Sequence, residues 1–453
     1  MYEVERAKSL ASESGVLVRV ILPDQLFDDD DPLAELEGLA TTAGLRIAGT
    51  MTQRRGKPTA GTYLGKGKLE ELRLFVEHTE ADVVLFDNDL SPGQTRNLEK
   101  ALSVKVIDRT ELILDIFATH AQTHEARLSV ELAQLEYSLP RLKRMWTHLS
   151  RYNMGVGMRG PGEKQLEIDR RLVEKRIYDL RTELKQAQKR KQRLVRSREN
   201  HMTVSLVGYT NAGKSTLMNA LTEADVLAAD KLFATLDTRT RRWQLPNWGP
   251  VLLSDTVGFI RDLPHRLIAS FKATLEEARQ ANLLLHVADV SNPAVLDQIT
   301  AVYSVLEELG IDEKAALLVL NKVDAPDAAG RLEKTRCRYP NAVAVSAKTG
   351  EGIDSFKAAV SEALSRGFRD LDVTTGVDNG RLLAFLSDSG EVLSKSYSEE
   401  QVTVHCRMGE KHIGRMTTQF PEAEIRDHIS PPSTPETHID VDDDPHDNVE
   451  EVA

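Results

Sequence analysis

Cysteine is nearly absent, with only Cys337 and Cys406 in 453 residues. They stand far apart without metal-ligand spacing, which excludes a disulfide framework and fits a reducing cytoplasm. Long apolar runs are also missing. The longest near the start, residues 16–22, is strand-sized and interrupted by Arg19, which argues against a signal peptide and a membrane span. Residues 435–453 hold eight Asp and Glu and no Lys or Arg, so this stretch carries most of the net charge of −12. From about Ser430 the chain is proline-rich, then acidic, and reads as a disordered tail. The opposite imbalance occupies residues 141–200, with 18 Lys and Arg against seven acids. A basic segment in an acidic chain points to a polyanion, RNA first, the alternative being a helix whose charges only keep it soluble.

Against these absences, residues 208–216 read GYTNAGKST, placing Gly208, Gly213, Lys214 and Ser215 on the GxxxxGK(S/T) spacing. Backbone N–H groups must wrap the α- and β-phosphates of a nucleoside triphosphate, which a tight loop of small residues between strand and helix permits. Tyr209, Thr210, Asn211, Ala212 and Thr216 complete that cradle. Lys214 then reaches the β- and γ-phosphates, and Ser215 offers its hydroxyl to Mg²⁺. A strand is predicted over 203–207 and a helix over 215–221, the context the motif needs.

Three later elements name the base. VLLSDTVG, 251–258, is a strand ending in DxxG, where Asp255 holds Mg²⁺ through water and Gly258 meets the γ-phosphate, with Thr256 and Val257 between them. Asn321, Lys322 and Asp324 form NKxD; the Asp324 carboxylate can accept from N1–H and the 2-amino group of guanine, which adenine cannot match. Ser346, Ala347 and Lys348 follow a further strand at the place where a backbone N–H meets the guanine carbonyl. A surface turn is the plainer reading of each element alone, but not of all of them in this order.

The first switch is less specific. Thr235, Thr238 and Thr240 all lie between the phosphate loop and Asp255, and Thr235 is the chosen Mg²⁺ ligand, so that Lys214, Thr235 and Gly258 are the candidate catalytic contacts. Phe259 stands where Ras-like GTPases carry a water-orienting glutamine. An aromatic ring cannot orient water, which predicts slow intrinsic hydrolysis and help from a partner; the alternative is that Phe259 packs the switch. Asn211 is a candidate K⁺ ligand near the phosphates, or else an ordinary turn residue.

The fold class read from the pattern is α/β and multidomain. After an N-terminal tail (1–15), an α/β domain with a mainly parallel sheet is predicted over 16–122, its loop 65–68 opening a helix rather than forming a second phosphate site. A long antiparallel helical hairpin follows over 123–200, with leucines at steps of three and four on one strand of it and seven-residue recurrence on the other. Pro140 is expected to kink or break the first of these helices. The hairpin tip, GVGMRGPG at 155–162, supplies candidate RNA contacts in Arg151, Tyr152, Gly155, Gly157, Arg159, Gly160, Gly162 and Lys164. A P-loop GTPase domain (201–368), a small α+β domain (369–429) and the acidic tail (430–453) complete the chain.

YLGKGKLEEL (63–72), VLFDNDLSPGQTRNLE (84–99), the run 106–142 and RGPGEKQLEIDRR (159–171), with GYTNAGKSTLMNAL and LFATLDTRTRRW, resemble the HflX family of GTPases over about residues 16–410. The resemblance implies a cytoplasmic GTPase that uses Mg²⁺, binds GTP and GDP, and engages the large ribosomal subunit and its rRNA through the N-terminal domain and hairpin. It implies dissociation of stalled or idle ribosomes, with ribosome-stimulated hydrolysis timing release. Separately from the resemblance, a monomer is expected. Thr238 stands where that family has proline, and Lys164 where it has threonine. A ribosome-assembly or RNA-maturation GTPase, and a switch for a protein partner, are the alternatives.

Overall fold

The computed structural model describes residues 13–23, 31–149, 161–196, 202–222, 233, 239–245, 249–261, 277–308, 310–311, 316–365, 368–398 and 400–428. They fall into two units, Met1–Leu364 and Ser365–Ala453.

The first unit opens with β1 (Ser14–Ile21), α1 (Ala34–Thr42), β2 (Arg46–Arg54), α2 (Lys66–Thr79), β3 (Val83–Phe86), α3 (Pro92–Leu102), β4 (Lys105–Asp108) and α4 (Arg109–His120). Its sheet runs β2-β1-β3-β4, with every pairing parallel. The near-continuous apolar runs of β1 and β3 suit a sheet covered on both faces. Alternation divides β1: Val16, Val18 and Val20 pack with Leu72, Val76, Leu98 and Leu102 from α2 and α3, whereas Leu17 packs with Leu36 and Leu39 of α1 and Phe117 of α4. Local signals agree with these starts. Gly65 precedes α2, and Ser91 with Gln94 forms a reciprocal cap ahead of Pro92.

Two long helices follow, α5 (His124–Leu149) and α6 (Pro161–Arg196). Leu128 and Leu132 of α5 cluster with Ile177, Leu180 and Leu184 of α6. Arg176–Glu131 at 2.8 Å and Arg181–Glu136 at 2.6 Å flank the seam. The helix is unbroken at Pro140, because a proline inside a helix removes one hydrogen bond while the packed seam retains the rest. Gly162 and Lys164 are not loop residues: α6 begins at Pro161, a residue well suited to a first helical turn. Arg151, Tyr152, Gly155, Gly157, Arg159 and Gly160 lie outside the described residues.

The second half of this unit contains β5 (Thr203–Gly208), α7 (Lys214–Thr222), β6 (Arg239–Leu245), β7 (Gly249–Asp255), β8 (Leu283–Asp289), α8 (Val295–Glu308), β9 (Ala316–Asn321), α9 (Ala328–Arg338), β10 (Val343–Ala344) and α10 (Ile353–Ser365). Six strands are ordered β10-β9-β8-β5-β7-β6, and only β6 runs antiparallel to its neighbour. One apolar cluster joins the two halves: Leu36, Leu112 and Phe117 share it with Val207, Tyr209, Phe233, Phe259 and Leu284.

The second unit comprises β11 (Phe368–Gly376), α11 (Gly380–Ser389), β12 (Gly390–Tyr397), β13 (Gln401–Gly409), α12 (Glu410–Gln419) and β14 (Glu424–Asp427). Its antiparallel sheet is ordered β12-β13-β11-β14. Leu371, Val373, Val404 and Cys406 pack from one sheet face against Leu382, Leu386 and Met416 of the helices.

Candidate nucleotide-binding site

β5 delivers the chain into the phosphate loop, and two glycines shape the turn. Gly208 has φ +148°, and a Cβ there would lie 2.1 Å from the Val287 carbonyl oxygen. Gly213 has φ +88°, and its Cβ would lie 2.3 Å from Asn321 Nδ2. Neither position has room for a side chain. Asn211, exposed at the loop's crest, has φ +58°, a conformation that asparagine tolerates well. Thr216 lies in the first turn of α7.

Lys214 is buried, and its Nζ donates to the carbonyls of Gly208 at 3.1 Å and Tyr209 at 2.9 Å. Burial pushes its ammonium down to about 8, with Asp255 opposing that shift. The amine therefore rests on the loop's own carbonyl oxygens, where an incoming phosphate can replace them. Ser215 Oγ donates to Asp255 Oδ2 at 2.6 Å. A hydroxyl and a fully buried carboxylate converge here, a donor pair suited to a hard cation.

The segment after Asp255 lies against the phosphate loop. Thr210 N–H donates to the Phe259 carbonyl at 2.7 Å, and Phe259 N–H to the Gly208 carbonyl at 3.0 Å. Gly258 is pinned between them, a Cβ there falling 2.8 Å from Thr210 Cα and 3.2 Å from Lys214 Nζ. Thr256 Oγ1 donates to the Leu206 carbonyl at 2.7 Å, and Val257 is buried. Phe259 is buried in the shared apolar cluster, so its ring is committed to packing.

In the NKxD segment, Asn321 is a brace. Its Nδ2 donates to the Ala212 carbonyl at 2.8 Å, and its Oδ1 accepts the Ala347 N–H at 3.0 Å. One amide thus joins the phosphate loop to the SAK segment. Ser346 is buried and its Oγ accepts from Thr349 N–H at 3.1 Å, while Asp324 and Lys348 are exposed at the rim. Lys322, at φ +66°, pairs with Asp289 at 2.7 Å.

Thr235 and Thr238 lie outside the described residues. Thr240 is in β6 opposite Ser254, a ladder position that commits it to the sheet. The neighbouring Phe233 is described: its N–H donates to Thr210 Oγ1 at 3.0 Å, and its buried ring meets Phe117 edge-on, centroids 4.5 Å apart.

Sequence reasoning missed the polar cluster behind the loop. Tyr209 donates its phenol to Glu35 and accepts the Arg261 N–H at 2.7 Å. Burial first, then Glu35, drives that phenol well above its ordinary pKa, so it remains a donor. Arg109 is 3% exposed and pairs with Glu35 at 2.9 Å and Asp87 at 2.7 Å, while donating to the Arg261 carbonyl at 3.2 Å. Burial disfavours its charge, but Glu35 and Asp87 outweigh burial and hold it cationic. Arg19 joins at 3.3 Å from Asp87. Its charge inside an apolar strand was the one available signal.

Next to Arg109, Asp108 caps α4 by accepting from Glu111 N–H at 3.0 Å. It also receives the Tyr137 hydroxyl and pairs with Arg141 at 2.9 Å, both from α5. A cleft of about 870 Å³ opens beside this cluster, lined by Glu35, Tyr209, Asn211, Arg261 and Asp297 among others. Tyr209, Thr210 and Asn211 of the phosphate loop line it, whereas Lys214, Ser215, Asp324 and Lys348 do not.

Family models match along the chain: "GTP-binding GTPase N-terminal" over 30–118, "GTP-binding GTPase Middle Region" over 120–198 and "50S ribosome-binding GTPase" over 203–322. A protein named GTPase HflX from Magnetococcus marinus is 44% identical over 410 residues, spanning 90% of this chain and 95% of that protein. Its namesake in Escherichia coli K12 is 45% identical over 416 residues, 91% of this chain and 97% of that one. A GTP-binding protein from Sulfolobus solfataricus, solved with GDP, aligns at 22% identity and a TM-score of 0.41, over 78% of this chain and 99% of that one. Among the described residues, no helix is long and apolar enough to cross a membrane.

Proposed function

The chain belongs to the HflX family of GTPases and hydrolyses GTP; from that premise we propose that it binds the large ribosomal subunit in the cytoplasm and separates stalled or idle ribosomes, hydrolysis timing its release. The observation that carries this reading is the path from phosphate loop to helical arm. Arg261, three residues beyond Gly258, meets Arg109; its neighbour Asp108 holds Tyr137 and Arg141 of α5.

In this proposal, Lys214 moves from the loop carbonyls onto the β- and γ-phosphates, and Gly258 follows the γ-phosphate. Arg261 shifts with it, and Arg109 passes the displacement to α4 and α5. Ser215 would hold Mg²⁺ directly and Asp255 through water, with Thr235 as the further ligand, and the ion would supply charge neutralisation at the phosphates. Asp324 reads the guanine edge, Lys348 closes the rim, and Asn211 holds K⁺. The basic residues of 141–200 supply the counter-charge for rRNA, whose contacts centre on the segment 151–164. With Phe259 packed inward, the attacking water receives no glutamine, and ribosome contact supplies its ordering.

Light scattering of intact ribosomes mixed with the chain and a nonhydrolysable GTP analogue tests this, a fall in scattering being expected. Unchanged scattering together with co-sedimentation on the large subunit would leave an assembly role. Absence of co-sedimentation would remove both ribosomal readings and leave a protein-partner switch.

A further inference from the structure

The open face of the C-terminal sheet carries a ladder of cross-strand polar pairs. Thr374 and Thr403 share a hydrogen bond at 3.0 Å, and Asp370 pairs with Arg407 at 2.7 Å. Between these rungs Asp372 stands directly opposite His405 in the β11–β13 register, yet the two are not paired with each other. Asp372 bonds instead to His428 Nδ1 at 2.8 Å. His428 follows β14, its N–H donating to the Asp370 carbonyl at 2.8 Å. The rings of His405 and His428 stack, centroids 3.7 Å apart and 19° from parallel.

A histidine–carboxylate hydrogen bond accounts for His428 but leaves His405 unexplained. Among the described residues its buried Nε2 has no hydrogen-bond partner, an arrangement that carries a cost. One ligand atom from each of Asp372, His405 and His428 lies within 4.8 Å of the other two. Zn–N and Zn–O bonds near 2.0–2.2 Å put ligand atoms around one ion about 3.4 Å apart, so side-chain movements of about 1 Å would close the set. Asp372 and His428 are only partly buried, which leaves an entry path.

We propose that Asp372, His405 and His428 form a binding site for a divalent transition ion, Zn²⁺ by its donor set. Two imidazoles disfavour Mg²⁺ and Ca²⁺, and three protein ligands leave a position for water. The ion bridges β11, β13 and the residue after edge strand β14, so it fastens the sheet's outer edge.

The test uses the full chain, stripped with a chelator and free of nucleotide, titrated with Zn²⁺ against a chromophoric chelator. One equivalent is expected, and Asp372→Asn, His405→Ala and His428→Ala should each weaken binding more than about tenfold. A double variant of the tail, His438→Ala with His446→Ala, should bind as the natural chain does. Should either His variant misfold by circular dichroism, Asp372→Asn decides, being nearly isosteric. Zn²⁺ should also raise the unfolding temperature of the natural chain and not of Asp372→Asn. No saturable binding, or binding that survives these substitutions and disappears with the tail variant, would overturn the proposal.

Discussion

Tyr209 Oη accepts the Arg261 backbone N–H at 2.7 Å, so the second residue of the phosphate loop is bonded to the segment that follows DTVG. The same hydroxyl donates to Glu35 on α1. A change at the phosphates cannot move Arg261 without renegotiating a contact with helix α1.

Tyr209→Phe deletes that hydroxyl and leaves a buried N–H and a carboxylate short of a partner. The first unit should lose about 1–3 kcal/mol in urea unfolding. Arg109→Ala should lose at least as much, about 2–3 kcal/mol, since Asp87 and Glu35 would lose their most buried cation and keep only Arg19 and Arg261. Equal stability of all three chains would show the cluster to be inert.

Lys214 has its pKa lowered to about 8 before any phosphate arrives, burial being the main cause. Phosphate favours the ammonium, so nucleotide binding above pH 8 must take up a proton. Affinity should then fall as pH rises from 8 to 9, by up to about tenfold per unit. Calorimetry in two buffers of different ionisation enthalpy counts the proton; no difference between the buffers at pH 8.5 would refute this.

Asp324→Asn exchanges a carboxylate that accepts two hydrogen bonds for an amide that accepts and donates. GTP affinity should drop by about 10³-fold or more, and a triphosphate of xanthine, which offers a carbonyl where guanine has its amine, should bind better than GTP. A competition assay with both nucleotides reads the order directly. Retained preference for GTP would remove Asp324 from base recognition.

His286, buried in β8 and edge-on to Tyr303 at 4.9 Å, has its pKa lowered to about 3 by burial first and Lys214 second. The unfolded chain takes up a proton near pH 6.5 that the folded chain refuses. Stability is therefore unaffected above that pH, and falls as pH drops from about 6.5 toward 3, by at most about 1.4 kcal/mol per unit. His286→Leu should flatten this decline between pH 6.5 and 4, as read from urea midpoints. Parallel declines in both chains would place the acid sensitivity elsewhere.

The nucleotide elements were legible because each is contiguous and its strand or glycine geometry is written within a few residues, as at Gly208 and Gly213. The seam of Leu128, Leu132, Leu180 and Leu184 was legible for a similar reason, since helical periodicity reports burial. Helix α4 escaped because RTELILDIFATH is buried on several sides, which erases the amphipathic period. The Glu35–Tyr209 bond spans 174 residues and the Arg109–Arg261 contact 152, separations at which no local pattern survives. Asp372, His405 and His428 are brought together only by strand register. Gly162 misled because glycine in a glycine-rich stretch was read as loop, although the preceding Pro161 is a helix-starting residue.

One short helix touches both switch regions. Arg109 at the first turn of α4 meets Arg261, and Phe117 near its last turn meets Phe233. Twelve residues of helix make a rod about 18 Å long that does not bend on this scale. Freeing one end leaves the rod clamped at the other, so α4 is expected to act as a coincidence detector whose output changes only when both inputs have changed. Half-switched molecules should be rare and the response to the γ-phosphate steep. Hydrogen exchange at the two ends of α4 should accelerate together on nucleotide exchange, and separate transitions would rule out the coincidence.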